Sequence, residues 1–521
     1  MANAKSEKMI RNAMTMMVGT LSSRILGLLR EVITAACFGA SRSLDAFFVA
    51  YTIANLGRQL LAEGALSASF VPVFSQVLEK DGRGRAERLA RQALTVILCA
   101  GAVVVLLSIA LSPQLIALIA PGFTGEKARL AVSMTRQMFP FLLFISAAAL
   151  VMGALNSMDS FLVPALAPAL SNAAYIATVM LTADRWGVHG LVAAVLLGGA
   201  AQLLFQWWWA ASAEHLRLVP ARPDRSDPEL RRMMGLFLPY AAGLSLNQLN
   251  PVLGRFFGSF LEDGAISMLN YSNRVIQLPL GLVVIAISQA VLPELSRCVG
   301  RGDDLFASTL RDALRFALFV ILPVTLGTML ISSEAVNFLF YRGAFDGAAW
   351  RGTASTLFYS ALGLPGMACS TVVMRALFAR SLPRQAMVMT AASVVGTLAF
   401  SAALVFLMSM NGIALASSLA FTFSGAVGLY LLHGRMSVPL RLLSAKWAAK
   451  TALSCAVMWA AGTAWKVLWN YPVNASLWTR GGWILGIASL CALVYGAVSW
   501  KLGCEQWSLI FAAFHKSHRR R

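Results

Sequence analysis

The sequence predicts an all-α polytopic membrane protein, and three observations lead to this class. Of its 521 residues, 58% are hydrophobic and only 13% are charged, which is about half the charged fraction of a soluble globular domain. Apolar runs of about 20 residues, each long enough to cross a hydrocarbon layer roughly 30 Å thick as a helix, recur along almost the whole chain. The basic residues are concentrated in alternate loops between these runs.

The apolar runs predict fourteen transmembrane helices. They cover residues 10–36, 44–61, 93–111, 138–155, 161–181, 187–210, 234–260, 265–292, 314–331, 353–377, 385–408, 412–432, 447–468 and 482–502. Lysine and arginine cluster before the first helix and after the even-numbered ones, as at 80–91 and 217–232, and are rare after the odd-numbered ones. By the positive-inside rule both termini are therefore expected in the cytoplasm (N-in/C-in), which agrees with an even number of helices.

Two short segments recur at nearly the same spacing. FVPVFS at 70–75 is echoed by VLPELS at 291–296, and VMGAL at 151–155 by VMRAL at 373–377. Proline and small residues can recur by chance in a membrane protein, whereas an internal duplication predicts two parallel-repeat six-helix lobes and an additional helix pair. On the second interpretation the N-terminal lobe covers 1–230, the C-terminal lobe 231–436, and the helix pair with a basic cytoplasmic tail 437–521.

Charged residues interrupt the first predicted helix at Arg24, Arg30 and Glu31. A charge at mid-bilayer costs roughly 3 kcal/mol on insertion scales, so such residues are expected to face a cavity or a partner. With about 100° per residue, Glu31 lies about 20° from Arg24, and Ser23 and Arg30 lie within about 120° on the same side. The first helix is therefore predicted to have one polar face.

The second predicted helix carries a similar stripe, and later helices add further cations. The stripe, whose members lie within roughly 80° of one another, consists of Asp45, Thr52, Asn55, Gln59 and Glu63. Arg58 lies beside it, and Arg255 and Arg274 belong to the seventh and eighth predicted helices. Two adjacent helices with facing polar stripes are expected to enclose water.

These intramembrane charges have two interpretations. They form internal ion pairs, for example Arg24 with Glu31, or they line a cavity that binds a ligand. The arginines outnumber the acidic residues expected at similar depth, which favours the cavity. A guanidinium group makes paired hydrogen bonds to phosphate or carboxylate and stays charged, so the predicted ligand is an anion, most simply a phosphate or diphosphate.

Motifs for catalysis are absent from the sequence. It contains no P-loop, no Gly-x-Ser-x-Gly and no soluble segment large enough for an ATPase. Its seven cysteines and five histidines show no disulfide or metal-ligand spacing. We therefore predict a protein that is not an enzyme and has no cofactor or metal; basic residues spread over short loops also argue against nucleic acid.

The segment SRILGLLREVITAACFGASRSLDAFFVAYTIANLGRQLLAEGALSASFVP at 23–72 resembles the MurJ/MviN family, and APGF at 120–123 and FPFLLFIS at 139–146 extend the resemblance. The resemblance implies the fold of the multidrug/oligosaccharidyl-lipid/polysaccharide exporter superfamily, with a cationic central cavity and a groove for a lipid tail along the last two helices. It implies a lipid II flippase of peptidoglycan synthesis, multi-pass in the bacterial inner (plasma) membrane.

The resemblance also implies roles for individual residues. The functional arginines of the family match Arg24, Arg30, Arg58 and Arg274, and its acidic residues match Asp45 and Glu63, while Glu31 replaces an aspartate. Combined with the polar-face interpretation, the predicted substrate-binding residues are Arg24, Arg30, Arg58, Arg274, Ser23, Asn55 and Arg255. The predicted gating or ion-pair residues are Glu31, Asp45 and Glu63.

The function expected from these features is transport of lipid II by alternating access, with the cavity arginines bound to its diphosphate. The expected partners are lipid II, membrane lipids, and proteins of cell-wall synthesis and division. Two alternatives remain open: a flippase for another polyprenyl-diphosphate-linked oligosaccharide, and a non-transporting scaffold that recruits cell-wall synthases. A drug/cation antiporter is disfavoured because it needs a cavity dominated by acidic residues.

Overall fold

The computed structural model describes residues 2–434 and 444–508; within these ranges the side chains of 2–13, 61–63, 238, 242–244, 247 and 282 are not described. All regular secondary structure in the described ranges is helical. The α-helices are α1 (Ala2–Phe38), α2 (Arg42–Gly57), α3 (Ser67–Lys80), α4 (Arg83–Ala110), α5 (Ser112–Ile119), α6 (Gly125–Met138), α7 (Phe141–Ser157), α8 (Leu162–Trp186), α9 (His189–Ser212), α10 (Pro228–Ser245), α11 (Leu249–Gly258), α12 (Ala265–Pro279), α13 (Ile285–Cys298), α14 (Asp303–Leu330), α15 (Ser332–Phe340), α16 (Gly347–Ala361), α17 (Leu364–Ala379), α18 (Pro383–His433), α19 (Ala445–Leu468) and α20 (Leu477–Lys501).

The apolar helices confirm the predicted class, an all-α polytopic membrane protein. In the described ranges, eight helical segments are long and apolar enough to cross a membrane, and α16 with α17, bent by 43°, would make a ninth. The predicted helices 385–408 and 412–432 are joined in α18, which is broken at Ser409 by a φ of 53°. The count of fourteen and the cytoplasmic position of both termini stay predictions.

The chain divides into two compact units. The N-terminal unit consists of Met1–Ser267 and Arg342–Phe345, and the C-terminal unit consists of Met268–Tyr341 and Asp346–Arg521. Helices α10 and α11 thus pack with the N-terminal unit. The functional lobe boundaries at 230/231 and 436/437 stay a prediction.

The order and length of the helices repeat along the chain. In the first half, α2 continues through a π-helical segment, Arg58–Leu66, into α3, which contains Pro72. In the second half, α12 continues through the π-helical segment Leu280–Val284 into α13, which contains Pro293. A helix of 28 residues follows in each half, α4 and then α14. This repetition supports the predicted duplication, and α19 and α20 come after it.

Helix α1 is held in the N-terminal unit by α8 and by a short turn. Asn172 Nδ2 on α8 donates a hydrogen bond to the Ser23 carbonyl at 3.2 Å. The Ala344 amide donates to the Ala36 carbonyl at 2.7 Å. Gly343, beside it, has a φ of +57°, and a Cβ there would collide with the same carbonyl. Glycine is therefore required where this turn meets the end of α1.

The helix pair α19 and α20 packs in the C-terminal unit through an apolar core and a polar cluster. Trp447, Met458, Ile487 and Tyr495 are buried against α14. At one end of the pair, an ion pair and two hydrogen bonds link it to α15. These contacts are Lys466 Nζ to Glu334 Oε1 at 2.6 Å, Tyr471 Oη to Asn337 Oδ1 at 3.1 Å, and Arg480 Nη1 to Asn337 Oδ1 at 3.2 Å. The pair is thus attached to the unit near its connecting loop.

Asp227 caps α10 and connects it to the start of α4. Its carboxylate accepts hydrogen bonds from Arg85 Nη2 at 2.7 Å and from the amides of Glu229 and Leu230 at 3.1 and 3.5 Å. Only 3% of its side chain is exposed. The hydrogen bond from Arg85 lowers the pKa of Asp227 below its ordinary value of 3.8, so the ionised form stabilises the folded state.

We expect the variant Asp227→Asn to be less stable than the parent protein at neutral pH, by about 1 to 2 kcal/mol. Asparagine is also a good N-cap, so the variant tests the effect of the negative charge and not that of the cap. Folding lowers the pKa of Asp227. The stability that its charge contributes is therefore present above the unfolded pKa and is lost as the pH falls through the folded pKa.

Thermal unfolding of both proteins between pH 7 and pH 3 measures this effect. The exposed carboxylate of Asp304, in the first turn of α14, provides the matched control, and Asp304→Asn should change the unfolding temperature little at either pH. If Asp227→Asn lowers the unfolding temperature by the same amount at pH 7 and at pH 3, the charge of Asp227 does not stabilise the fold as proposed.

Candidate functional site: a cationic face

Arg30 lies in α1 between two aromatic rings and a carboxylate. Its Nη2 is 3.1 Å from Glu31 Oε1, and its guanidinium carbon lies 5.5 Å from the centre of the Tyr51 ring and 4.7 Å from that of Tyr175. Rings at these distances attract a cation through their negative faces. Tyr175 itself is fixed by Thr34, whose Oγ1 is 3.3 Å from its hydroxyl. The Arg30 side chain is therefore held in place, yet 19% of it remains exposed.

Arg255 and Arg58 contact the same stretch of α2. Arg255 Nε on α11 donates to Thr52 Oγ1 at 3.1 Å, and its guanidinium carbon lies 5.9 Å from the centre of the Phe48 ring. Arg58, at the start of the π-helical segment, donates from Nε to Asn55 Oδ1 at 2.8 Å. This hydrogen bond from Arg58 to Asn55 helps to orient the Arg58 side chain.

Arg30 from α1, Arg255 from α11 and Arg58 directly after α2 thus all contact the same two turns of α2. Phe48, Tyr51, Thr52 and Asn55 are their contacts, and they cover about 10 Å along the helix axis. We call Arg30, Arg58 and Arg255 with these four residues the cationic face. Such a grouping of guanidinium groups is suited to a multiply charged anion, because each planar fork can donate two parallel hydrogen bonds to phosphate oxygens.

Arg24 and Ser23 lie further along the polar side of α1. Arg24 is exposed, and among the described residues of the N-terminal unit no carboxylate is within ion-pair distance of it. Ser23 is half-buried and contributes its carbonyl to the bond from Asn172. The side chain of Glu63 lies outside the described residues, although its backbone belongs to the π-helical segment.

Arg274 belongs to the C-terminal unit, on α12. Its side chain is partly exposed, and Nη1 is 3.4 Å from Gln277 Oε1 one turn further on. Asn273, its neighbour, is exposed. Among the described residues of this unit no carboxylate pairs with Arg274, so its charge is available to an anion.

Asp45 is completely buried and receives hydrogen bonds from several directions. Lys127 Nζ on α6 lies 3.0 Å from its Oδ2, and the Gly264 amide donates to the same oxygen at 2.8 Å. Its Oδ1 accepts from the amide and the hydroxyl of Ser267 at 2.9 and 2.7 Å. Asp263, which is half-exposed, lies 2.7 Å from Lys127. Asp45 therefore joins α2, α6 and the first turn of α12.

Tyr51, Tyr175 and Lys127 were not among the residues predicted to belong to the site. Tyr51 and Tyr175 lie inside apolar runs and Lys127 lies between two of them, and nothing in the local pattern distinguishes them. Their importance depends on which helices pack together. The described residues contain no group of three His, Cys, Asp or Glu side chains that could hold a metal ion.

The fold is similar to those of solved membrane transporters. A solved structure described as "Lipid II flippase MurJ, inward closed conformation" matches with a TM-score of 0.76 at 24% identity, over 93% of this chain and 97% of that chain. A structure described as "Inward-facing conformation of a multidrug resistance MATE family transporter of the MOP superfamily" matches with a TM-score of 0.68 at 16% identity, over 80% of this chain and 94% of that chain.

Sequence relatives identify the family. A family model described as "Lipid II flippase MurJ" matches residues 34–480. The "Probable lipid II flippase MurJ" of Rhizobium tropici is 31% identical over 95% of this chain and 94% of its own length. The "Lipid II flippase MurJ" of Burkholderia cenocepacia is 33% identical over 69% of this chain and 71% of its own length. The chain belongs to the MurJ family, which confirms the resemblance seen in residues 23–72.

Proposed function

We propose that this protein flips lipid II from the cytoplasmic to the periplasmic face of the bacterial inner membrane. The observation that carries the proposal is the convergence of Arg30, Arg58 and Arg255 on two turns of α2, in a chain of this family. A headgroup of sugars, peptide and diphosphate cannot cross hydrocarbon unaided, because its polar groups would lose their hydrogen bonds to water. Fixed guanidinium groups supply replacement hydrogen bonds to the diphosphate.

The proposed cycle is alternating access. With the site open to the cytoplasm, Arg24, Arg30, Arg58 and Arg274 capture the diphosphate, and Ser23, Asn55 and Arg255 complete the polar lining. The polyprenyl chain stays in the bilayer along α19 and α20. Rearrangement of the two predicted lobes, 1–230 and 231–436, then exposes the headgroup on the other side.

In this proposal acidic residues control the cycle. Glu31 neutralises part of the Arg30 charge when no substrate is bound, and Asp45 and Glu63 act in gating. The inside-negative potential favours outward movement of the anionic headgroup, by about 2.3 kcal/mol per charge per 100 mV if the full field is crossed. Proteins of cell-wall synthesis and division are the partners that would use the flipped product.

A second candidate function follows from the same chemistry. The cationic face would recognise the diphosphate of any polyprenyl-diphosphate-linked oligosaccharide, because arginine forks read the phosphate oxygens and not the sugars. Discrimination must then come from groups that contact the sugars or the peptide.

Reconstitution into vesicles tests the proposal and separates the candidates. We expect the purified protein to move lipid II between leaflets faster than empty vesicles, measured by access of an added enzyme to the headgroup. Undecaprenyl-diphosphate-linked O-antigen units should move more slowly. Equal rates for both lipids would favour the second candidate, and no movement of either lipid would contradict both.

A further inference from the structure

A groove between α5 and α6 combines an apolar floor with two arginines, away from the cationic face. Its volume is about 850 Å³, and it is lined by residues of both helices and of the turn between them. Pro113, Ile116 and Phe123 are among its apolar residues, and Arg129 and Arg136 supply its charge. No acidic residue is among the described side chains that line it, so the groove is complementary to an anion with an apolar part.

The two arginines lie on one side of α6. They are seven residues apart, which places them about 20° from each other around the helix and about 10 Å apart along it. Both are exposed. Arg136 Nε donates to the Ile109 carbonyl at 3.3 Å, which fixes its guanidinium group beside the end of α4. Two long side chains can close around one phosphate group from positions at this spacing.

Exposed leucines are close in the chain to the residues that line the groove. Leu106, Leu111 and Leu118, on α4 and α5 and between them, are 68%, 48% and 71% exposed. Exposed apolar side chains that are grouped on a membrane protein mark surface that contacts lipid. The groove also lies near the C-terminal end of α4, whereas the basic residues Arg83, Arg88 and Arg91 lie near its N-terminal end. A molecule in the groove is therefore at the headgroup level of one leaflet.

We propose that the α5–α6 groove binds an anionic phospholipid, with its phosphodiester between Arg129 and Arg136 and the upper part of an acyl chain against Ile116 and Phe123. The volume is within the range of ligand pockets, about 300 to 1,000 Å³, and holds a headgroup with the first methylenes of one chain. Binding at this site is separate from binding of the transported lipid and does not depend on the proposed function.

Native mass spectrometry of the detergent-purified full chain tests this site. The probes are dioleoyl phosphatidylglycerol and dioleoyl phosphatidylcholine, which differ in net charge but not in chains. Each arginine near a phosphate contributes about fivefold in binding, so we expect one phosphatidylglycerol to bind about 25-fold more tightly than phosphatidylcholine. The double variant Arg129→Gln/Arg136→Gln should lose this preference.

The matched control is Arg297→Gln/Arg311→Gln, which removes one exposed and one partly exposed arginine of the C-terminal unit and should keep the preference. Unfolding temperatures of both double variants should equal that of the parent, which shows that folding is retained. Dibutyryl phosphatidylglycerol and glycerol phosphate serve as a soluble lipid and a free headgroup. We expect each to compete at least tenfold less well than the dioleoyl lipid, because they lack the apolar contact.

Three outcomes would overturn the proposal. One is equal binding of the two dioleoyl lipids to the parent protein. Another is an unchanged preference in Arg129→Gln/Arg136→Gln, which would place the anion elsewhere. The third is competition by glycerol phosphate as strong as that by the dioleoyl lipid, which would assign the groove to small phosphates.

Discussion

Alanine in place of Arg30 is expected to abolish lipid II flipping while the protein remains inserted in the membrane. Removal of one partner of a desolvated, hydrogen-bonded charge pair costs about 2 to 5 kcal/mol, and the flipping rate should therefore fall at least about 30-fold. Arg24→Ala and Arg274→Ala should act in the same direction, because both side chains present their charge without a described carboxylate partner in their own unit. The measurement is flipping of lipid II in reconstituted vesicles at equal protein content.

Two further sets of variants serve as controls for Arg30→Ala. Arg297→Ala removes an arginine whose side chain is 71% exposed and should flip lipid II normally. Tyr175→Phe keeps the ring over Arg30, whereas Tyr175→Leu removes it, so only the leucine variant should slow flipping, by about tenfold. Normal flipping by Arg30→Ala would exclude the cationic face as the substrate site, and normal flipping by Arg24→Ala and Arg274→Ala would exclude these two side chains as substrate ligands.

Removal of the Asp45 carboxylate is expected to give the largest loss of stability. Asp45 is 0% exposed and accepts from Lys127, which is 7% exposed. Asp45→Ala leaves that ammonium with the half-exposed Asp263 and the Phe123 ring, and leaves the Gly264 and Ser267 amides without their acceptor. Breaking a buried pair in this way costs about 3 to 5 kcal/mol. The measurement is the unfolding temperature of the detergent-purified protein.

Asp263 provides the matched control for Asp45. It lies 2.7 Å from the same lysine, but 56% of its side chain is exposed. A half-exposed pair is worth about 1 kcal/mol or less, so Asp263→Asn should lower the unfolding temperature only slightly. In Lys127→Met, the further change Asp45→Asn should cost less than it does in the parent. Equal losses for Asp263→Asn and Asp45→Ala would mean that burial of Asp45 has no energetic role.

The polar faces of the first two helices could be predicted from the sequence because helical periodicity and the cost of a membrane charge constrain each helix by itself. The partners could not be predicted in this way. Arg30 is held by Tyr175, whose position depends on how α1 packs against α8, and α8 is more than 100 residues away in the chain. Lys127 was missed for the same reason: a lysine in the first turn of α6 suggests a solvated position, and its burial follows from tertiary packing.

Local backbone geometry was the other part that the sequence did not reveal. The segment from Arg58 to Leu66 has the composition of an ordinary helix, with leucine, alanine and glutamine, and no residue type marks a π-helix. The break in α18 differs in this respect, because Ser409 lies between the predicted helices 385–408 and 412–432. In the π-helical segment, tertiary packing outweighs the weak local preference of the residues.

The two π-helical segments lie at corresponding places in the two halves of the chain, and each is a position where the helix can bend. A π turn widens the helix and shifts its hydrogen bonds by one residue, which weakens its resistance to bending. In the first half the π-helical segment begins at Arg58. Bending there reorients the Arg58 guanidinium group together with α3, the proline-containing helix that follows. Bending of the backbone and the proposed binding of the anion would then depend on the same few residues.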